Sequence, residues 1–165
     1  METRTIQGHW EGDTVVGKKN DGFIVTLVER TSRLLHAVKV ETKRAPEVAQ
    51  AVIETLLDRP ISWLKSITFD NGTEFALHQH MANQLNIDIY FAAPYASYQR
   101  GTNENTNGLI RRFFPKSISF AKITQQQLDA IVNLINNRPR KCLGYRTPNK
   151  IFAQIREQLL LAFKT

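Results

Sequence analysis

Cysteine is almost missing. Cys142 stands alone among 165 residues, which excludes an intramolecular disulfide and suits a reducing compartment. No apolar run approaches the roughly 18 residues of a membrane helix. The opening residues, METRTIQGHWEGD, lack the apolar centre of a signal peptide. Internal repeats and low-complexity linkers are missing too. Acids are scarce in one region only. Residues 100–150 hold two, Glu104 and Asp129, against ten Lys/Arg, whereas residues 1–99 hold twelve against ten. The formal charge of +7 and the pI near 9.8 therefore arise in one block. Such a block points to an anionic partner, nucleic acid first; from charge alone, a solvated basic surface is the competing reading.

What is present fits one soluble α/β domain spanning 1–165, with 42% apolar and 22% charged residues. His9–Val16 and Gly22–Val28 read as strands joined through Asn20-Asp21-Gly22, and Leu34–Val40 as a third. The period then changes. Ala45, Val48, Ala49, Val52, Ile53, Leu56 and Leu57 follow helical spacing, with Thr42 as a candidate cap and Pro46 in the first turn. Ser66–Phe69 is a short strand ending at Asp70-Asn71-Gly72. Phe75, His78, Ala82 and Leu85 mark a helix, and Ile87–Ala92 a fifth strand. Three further helices follow. One runs over Thr102–Phe113, one is opened by a Thr124/Gln127 capping box, and one starts at Pro148. This order predicts a mixed five-stranded sheet, three strands antiparallel and then two parallel, flanked by helices.

That order can gather acids. With the first and fourth strands parallel neighbours, Asp13 and Asp70 share one end of the sheet, and Glu104 leans over the same edge. Three carboxylates without His or Cys repel one another unless a hard cation such as Mg²⁺ or Mn²⁺ neutralises them. Two such ions can clamp a phosphodiester displacement. Taken singly, each acid has a plainer role: Asp70 in a turn, Asp13 on a strand surface, Glu104 serving a helix dipole. His78 and His80, two apart on a helix, do not face each other and give no zinc pair.

Longer stretches carry more. GHWEGDTVVGK (8–18), TLVERTSR (26–33), TFDNGTEF (68–75), YQRGTNENTNGLIRRFFPK (98–116) and NNRPRKCLGYRTP (136–148) together resemble the catalytic domain of bacterial insertion-sequence DDE transposases of the IS-thirty family. The likeness runs from about His9 to Phe152. Asp70 and Glu104 have 33 residues between them, the spacing of that family's pattern. The resemblance implies a ribonuclease H-like fold and Asp13, Asp70 and Glu104 as the catalytic, metal-holding triad. It also implies two Mg²⁺ ions (Mn²⁺ as substitute), cleavage of element ends, and transfer of the freed 3′-hydroxyl into target DNA. Cytoplasmic location, nucleoid association on DNA, no membrane, and at least a homodimer in the DNA complex follow from the same likeness. Two alternatives stay open: a ribonuclease H-like nuclease without strand transfer, and a catalytically silent DNA-binding or dimerising fragment.

Tyr98 stands where the family has Trp, Ser117 where Gly is common, and Lys150 where an acid is common; none touches the triad. The family's N-terminal helix-turn-helix region is expected to be absent, as in an excised core or an orphan fragment. Expected DNA contacts are Arg100, Asn107, Arg111, Arg112, Lys116, Arg138, Arg140 and Lys141. Glu104, Gly108 and Arg111 share a helix face, with Asn107 close enough to orient Glu104 or a phosphate. Gly108 would let DNA or a strand approach closely. Glu11, two residues from Asp13 on the same strand face, reads as structural, as does Trp10.

Overall fold

The computed structural model describes residues 6–94 and 101–162. Strands β1 (His9–Val16), β2 (Phe23–Glu29) and β3 (Leu35–Val40) form an antiparallel meander. The β1–β2 connection is a single 3-10 turn at Lys18–Asn20, in which Lys19 and Asn20 take left-handed backbone angles. Gly22 follows at φ +121°, and a Cβ there would sit 3.0 Å from Phe120 Cβ. Both conditions favour glycine.

Helix α1 (Ala45–Leu56) leads to β4 (Ser66–Phe69), and α2 (His78–Leu85) to β5 (Asp88–Phe91). The strand order is β3-β2-β1-β4-β5, with β1/β4 and β4/β5 parallel. This is the mixed sheet expected from the sequence. Helices α3 (Gly101–Phe113), α4 (Gln125–Asn136) and α5 (Pro148–Ala162) complete the chain.

All seven β2 residues are buried because both sheet faces are covered. Val25 and Leu27 pack with α1 and α2 against Trp10, Ile67 and Phe69. Ile24 and Val28 pack on the other face with Leu109 and Ile110 of α3 and Leu128 and Ile135 of α4. Alpha-four starts at the foreseen capping box: Thr124 Oγ1 accepts the Gln127 N–H and Gln127 Oε1 accepts the Thr124 N–H. Gln125 then reaches into β3, accepting from Lys39 N and donating to Ala37 O.

Two local readings change. The N-cap of α1 is Arg44, not Thr42; the Thr42 hydroxyl only accepts a long 3.4 Å contact from Arg44 N. Leu57 lies past the last helical turn and is 57% exposed, so the apolar stripe ends at Leu56. Trp10 is fully buried, its indole N–H donating to Trp63 O at 2.9 Å. No described helix is long and apolar enough to cross a membrane.

Candidate active site

The acids lie on the α3 face of β1. Side chains alternate along a strand, so Glu11, Asp13 and Val15 point to one face. Asp13 pairs across the ladder with Thr26, whose buried side chain points the same way. The parallel register sets Glu11 beside Thr68. Continued two residues, it brings Asp13 level with Asp70, just where β4 leaves the sheet. Asp70 Oδ1 accepts the Gly72 N–H at 3.1 Å, and Asn71 Nδ2 donates to Ala92 O at 3.2 Å, tying the ends of β4 and β5.

Helix α3 lies along β1, fastened by one stripe. Asn103 N donates to Glu11 Oε2 at 2.9 Å, Asn107 Nδ2 to Asp13 Oδ2 at 3.0 Å, and Arg111 Nη2 to Val16 O at 2.7 Å. Residues four apart repeat on one helix face, so each turn of α3 meets the next part of β1. The stripe is therefore Asn103–Asn107–Arg111, and the face assigned to Glu104, Gly108 and Arg111 is its flank. Asn107 bonds to Asp13, not to Glu104. Thr102 and Thr106 are buried, and Thr106 Oγ1 donates to Thr102 O at 2.8 Å. Glu104 is set about 200° from Thr102 by helical geometry. It is exposed.

Asp13 is held at both oxygens, since Oδ1 accepts the Thr14 N–H at 2.8 Å. Thr14 Oγ1 in turn donates to Glu74 Oε1 at 2.9 Å, and Lys43 Nζ lies 2.7 Å from that oxygen. Burial raises the Glu74 carboxyl, but Lys43 and the hydrogen bonds outweigh it, and its pKa falls below the ordinary value. A Cβ on Gly72 would meet Glu74 Oε2 at 2.3 Å and Asp70 Oδ1 at 2.9 Å, so Glu74 crowds the Asp70 turn. Glu74 flanks Asp70 in the sequence, but no sequence pattern marked its bond to Thr14 beside Asp13.

Glu11 is fully buried, and its Oε1 lies 3.1 Å from Arg30 Nε. Its partners are structural, as expected. Among the described residues no three His, Cys, Asp or Glu side chains stand close enough together to hold a metal ion. The continued register sets Asp13 level with Asp70 on neighbouring strands, and Glu104 is an exposed residue of α3. The donor set is all oxygen, which suits hard divalent cations.

The expected DNA contacts divide. Arg112, Lys116, Arg138 and Lys141 are exposed. Arg111 is half-buried, its guanidinium 5.6 Å from the centre of the Phe120 ring, and burial lowers its pKa. Arg140 is also half-buried and donates to Ile135 O at 3.2 Å. Both arginines carry internal roles. Arg33, absent from the expected set, donates to Thr102 Oγ1 at the start of α3. Around Gly108 there is open space, and among the described residues no strand comes within 4 Å of a Cβ placed there. Arg100 and Tyr98 lie outside the described residues.

Residues 5–97 match the family model described as an integrase core domain. The chain belongs to the integrase core family. It is 44% identical over 151 residues to the transposase InsI of insertion sequence element IS30A from Escherichia coli K12, covering 92% of this chain and 39% of that protein. It is likewise 44% identical over 163 residues to the transposase of insertion sequence element IS4351 from Bacteroides fragilis, covering 99% and 50%. The chain thus spans about two fifths to one half of the curated relatives it matches. The crystal structure of the catalytic core domain of BIV integrase superposes with a TM-score of 0.73 at 18% identity, covering 93% of this chain and 99% of that one. The integrase core fold is the ribonuclease H-like one, and cores of this family are typically metal-dependent.

Proposed function

We propose that this integrase core is the catalytic domain of a DNA transposase, with Asp13, Asp70 and Glu104 as its acidic triad. The observation that carries the reading is the α3 stripe. It fastens the helix that carries Glu104 along β1, the strand that carries Asp13, and this supports a site shared by the two. The likeness to curated insertion-sequence transposases supports the same class of reaction.

The donor set fits a pair of Mg²⁺ ions, with Mn²⁺ as substitute, once Glu104 closes onto the aspartates. When bound, the ions supply Lewis acidity at the scissile phosphate and at the attacking oxygen. The chain's own part is positioning. Asn107 and the Thr14 amide fix the Asp13 carboxylate, and the Gly72 amide fixes Asp70. Two attacks on phosphorus follow at one place: water frees a 3′-hydroxyl at the element's end, and that hydroxyl then joins target DNA. Arg112, Lys116, Arg138 and Lys141 grip backbone phosphates, and Arg100 belongs with them. The working complex pairs two ends and so contains at least two copies of the chain, in the cytoplasm and on the nucleoid.

Pre-nicked element ends incubated with the domain and Mg²⁺ or Mn²⁺ test this. Joined products are expected with wild type and none with Asp70→Asn. Shortened strands without joining would assign a nuclease instead. DNA binding with identical, cation-independent products from wild type and Asp70→Asn would assign a silent fragment.

A further inference from the structure

A buried polar relay begins on β2 and ends at Asp13. Thr26 lies in the middle of the strand FIVTLVE, between the apolar Val25 and Leu27, and is fully buried. Its hydroxyl is 3.1 Å from Asn107 Oδ1, 3.4 Å from Asn103 Oδ1 and 3.4 Å from Asp13 O. One proton cannot serve three acceptors. Asn107 decides the matter, because Asp13 Oδ2 is a carboxylate oxygen that can only accept. The Asn107 amide must therefore present Nδ2 to Asp13 and Oδ1 to Thr26. The hydroxyl proton goes to Asn107, its shortest contact.

Asn103 fits the same logic. Its Nδ2 is buried without a hydrogen-bond partner, while its Oδ1 faces the Thr26 oxygen. Turning that amide by 180° aims an N–H at the Thr26 lone pair. A continuous chain results, with Asn103 donating to Thr26, Thr26 to Asn107 and Asn107 to Asp13. Every donor points toward the carboxylate, and aligned hydrogen bonds of this kind polarise one another.

We propose that Thr26 is a positioning residue for Asp13, acting through Asn107. It locks the Asn107 amide in the one orientation that donates to Asp13 Oδ2. The proposal rests on the reading of Asp13 as a cation ligand. A threonine at this place does more than fill space, since valine has nearly the same shape and no proton to give.

Mn²⁺ binding to the domain, measured by calorimetry, separates the possibilities. Outer hydrogen bonds to metal ligands are typically worth about 10–100-fold in affinity. Thr26→Val and Asn107→Ala should each weaken Mn²⁺ binding about tenfold, while Thr26→Ser restores it to within about threefold of wild type. The double variant Thr26→Val/Asn107→Ala should be no weaker than Asn107→Ala, because the relay runs through the amide. Additive losses, or a Thr26→Ser as weak as Thr26→Val, would overturn the relay. Should Thr26→Val fail to fold by circular dichroism, Asn107→Asp decides: it cannot donate to Asp13, and Mn²⁺ binding equal to wild type overturns the proposal. Asp13→Asn is the separate control. If it binds Mn²⁺ like wild type, the ligand reading itself fails, and the relay with it.

Discussion

Replacing Glu11 by alanine probes how α3 is held to the sheet. The carboxylate is fully buried on the same strand face as Asp13. Its Oε2 accepts the Asn103 N–H at 2.9 Å, one of the first-turn amides that no helical carbonyl can serve. Its Oε1 is 3.1 Å from Arg30 Nε but off the line of the N–H bond, so attraction there is mostly Coulombic. Stranding a buried donor costs about 1–3 kcal/mol, and breaking a buried ion pair about 3–5 kcal/mol. The two overlap, because both measure the loss of one carboxylate; about 3–4 kcal/mol is the combined expectation. For a domain of this size, about 2–4 °C of Tm is lost per kcal/mol, so Tm should fall by roughly 6–16 °C. Glu11→Gln keeps the acceptor and the shape, and should cost about 1–2 kcal/mol. Urea unfolding with matched m-values measures both. Glu11→Ala within 1 kcal/mol of wild type, or Glu11→Gln as damaging as Glu11→Ala, would mean α3 is anchored elsewhere.

Three further outcomes are expected. Burial, and then Arg59 beside it, lower the His36 pKa from 6.5 to about 4. The unfolded chain therefore takes up a proton first, and stability falls as pH drops from 6.5 toward 4, by up to about 3 kcal/mol. Glu74, with its lowered folded pKa, adds acid sensitivity only below its ordinary value of 4.5; urea midpoints of His36→Gln should thus lose their slope between pH 4.5 and 6.5 and keep it below. Gly12→Ala should lower Tm by several degrees, because the new Cβ would lie 2.2 Å from the Phe69 ring, which is stacked on Phe75; an unchanged Tm would show that the ring can move. Arg112→Ala should weaken DNA binding and flatten its salt dependence by about one ion without changing Tm. Arg111→Ala should instead cost about 1–2 kcal/mol of stability through its bond to Val16 and its place over Phe120, and equal Tm values for the two variants would contradict this division.

The sheet was legible because its pattern is blunt. Mostly apolar runs in β2 and β3 and a capping box before α4 each point to one element. Trp10 and Glu11 were read as structural for sound reasons, and the structure buries both. The orientation of α3 was less legible. Its polar residues invite a face centred on Glu104, the chemically conspicuous acid. The face that meets the sheet is chosen by hydrogen-bonding need instead: Glu11, Asp13 and the Val16 carbonyl are acceptors, and Asn103, Asn107 and Arg111 are the donors spaced to serve them. Thr26 was invisible among its apolar neighbours, although a lone hydroxyl in a doubly covered strand asks for a partner. Arg111 and Arg140 read as phosphate contacts because sequence shows charge but not the carbonyls that capture it.

Whether Asp13, Asp70 and Glu104 act as one site is best settled by paramagnetic broadening. The isotope-labelled domain is titrated with Mn²⁺ while backbone amide signals are followed. Signals of residues 12–14, 70–72 and 103–105 should fade together at the lowest Mn²⁺ concentrations, and Asp13→Asn should abolish all three losses. Fading confined to acids elsewhere in the chain, or loss at Glu104 independent of Asp13, would contradict a shared site.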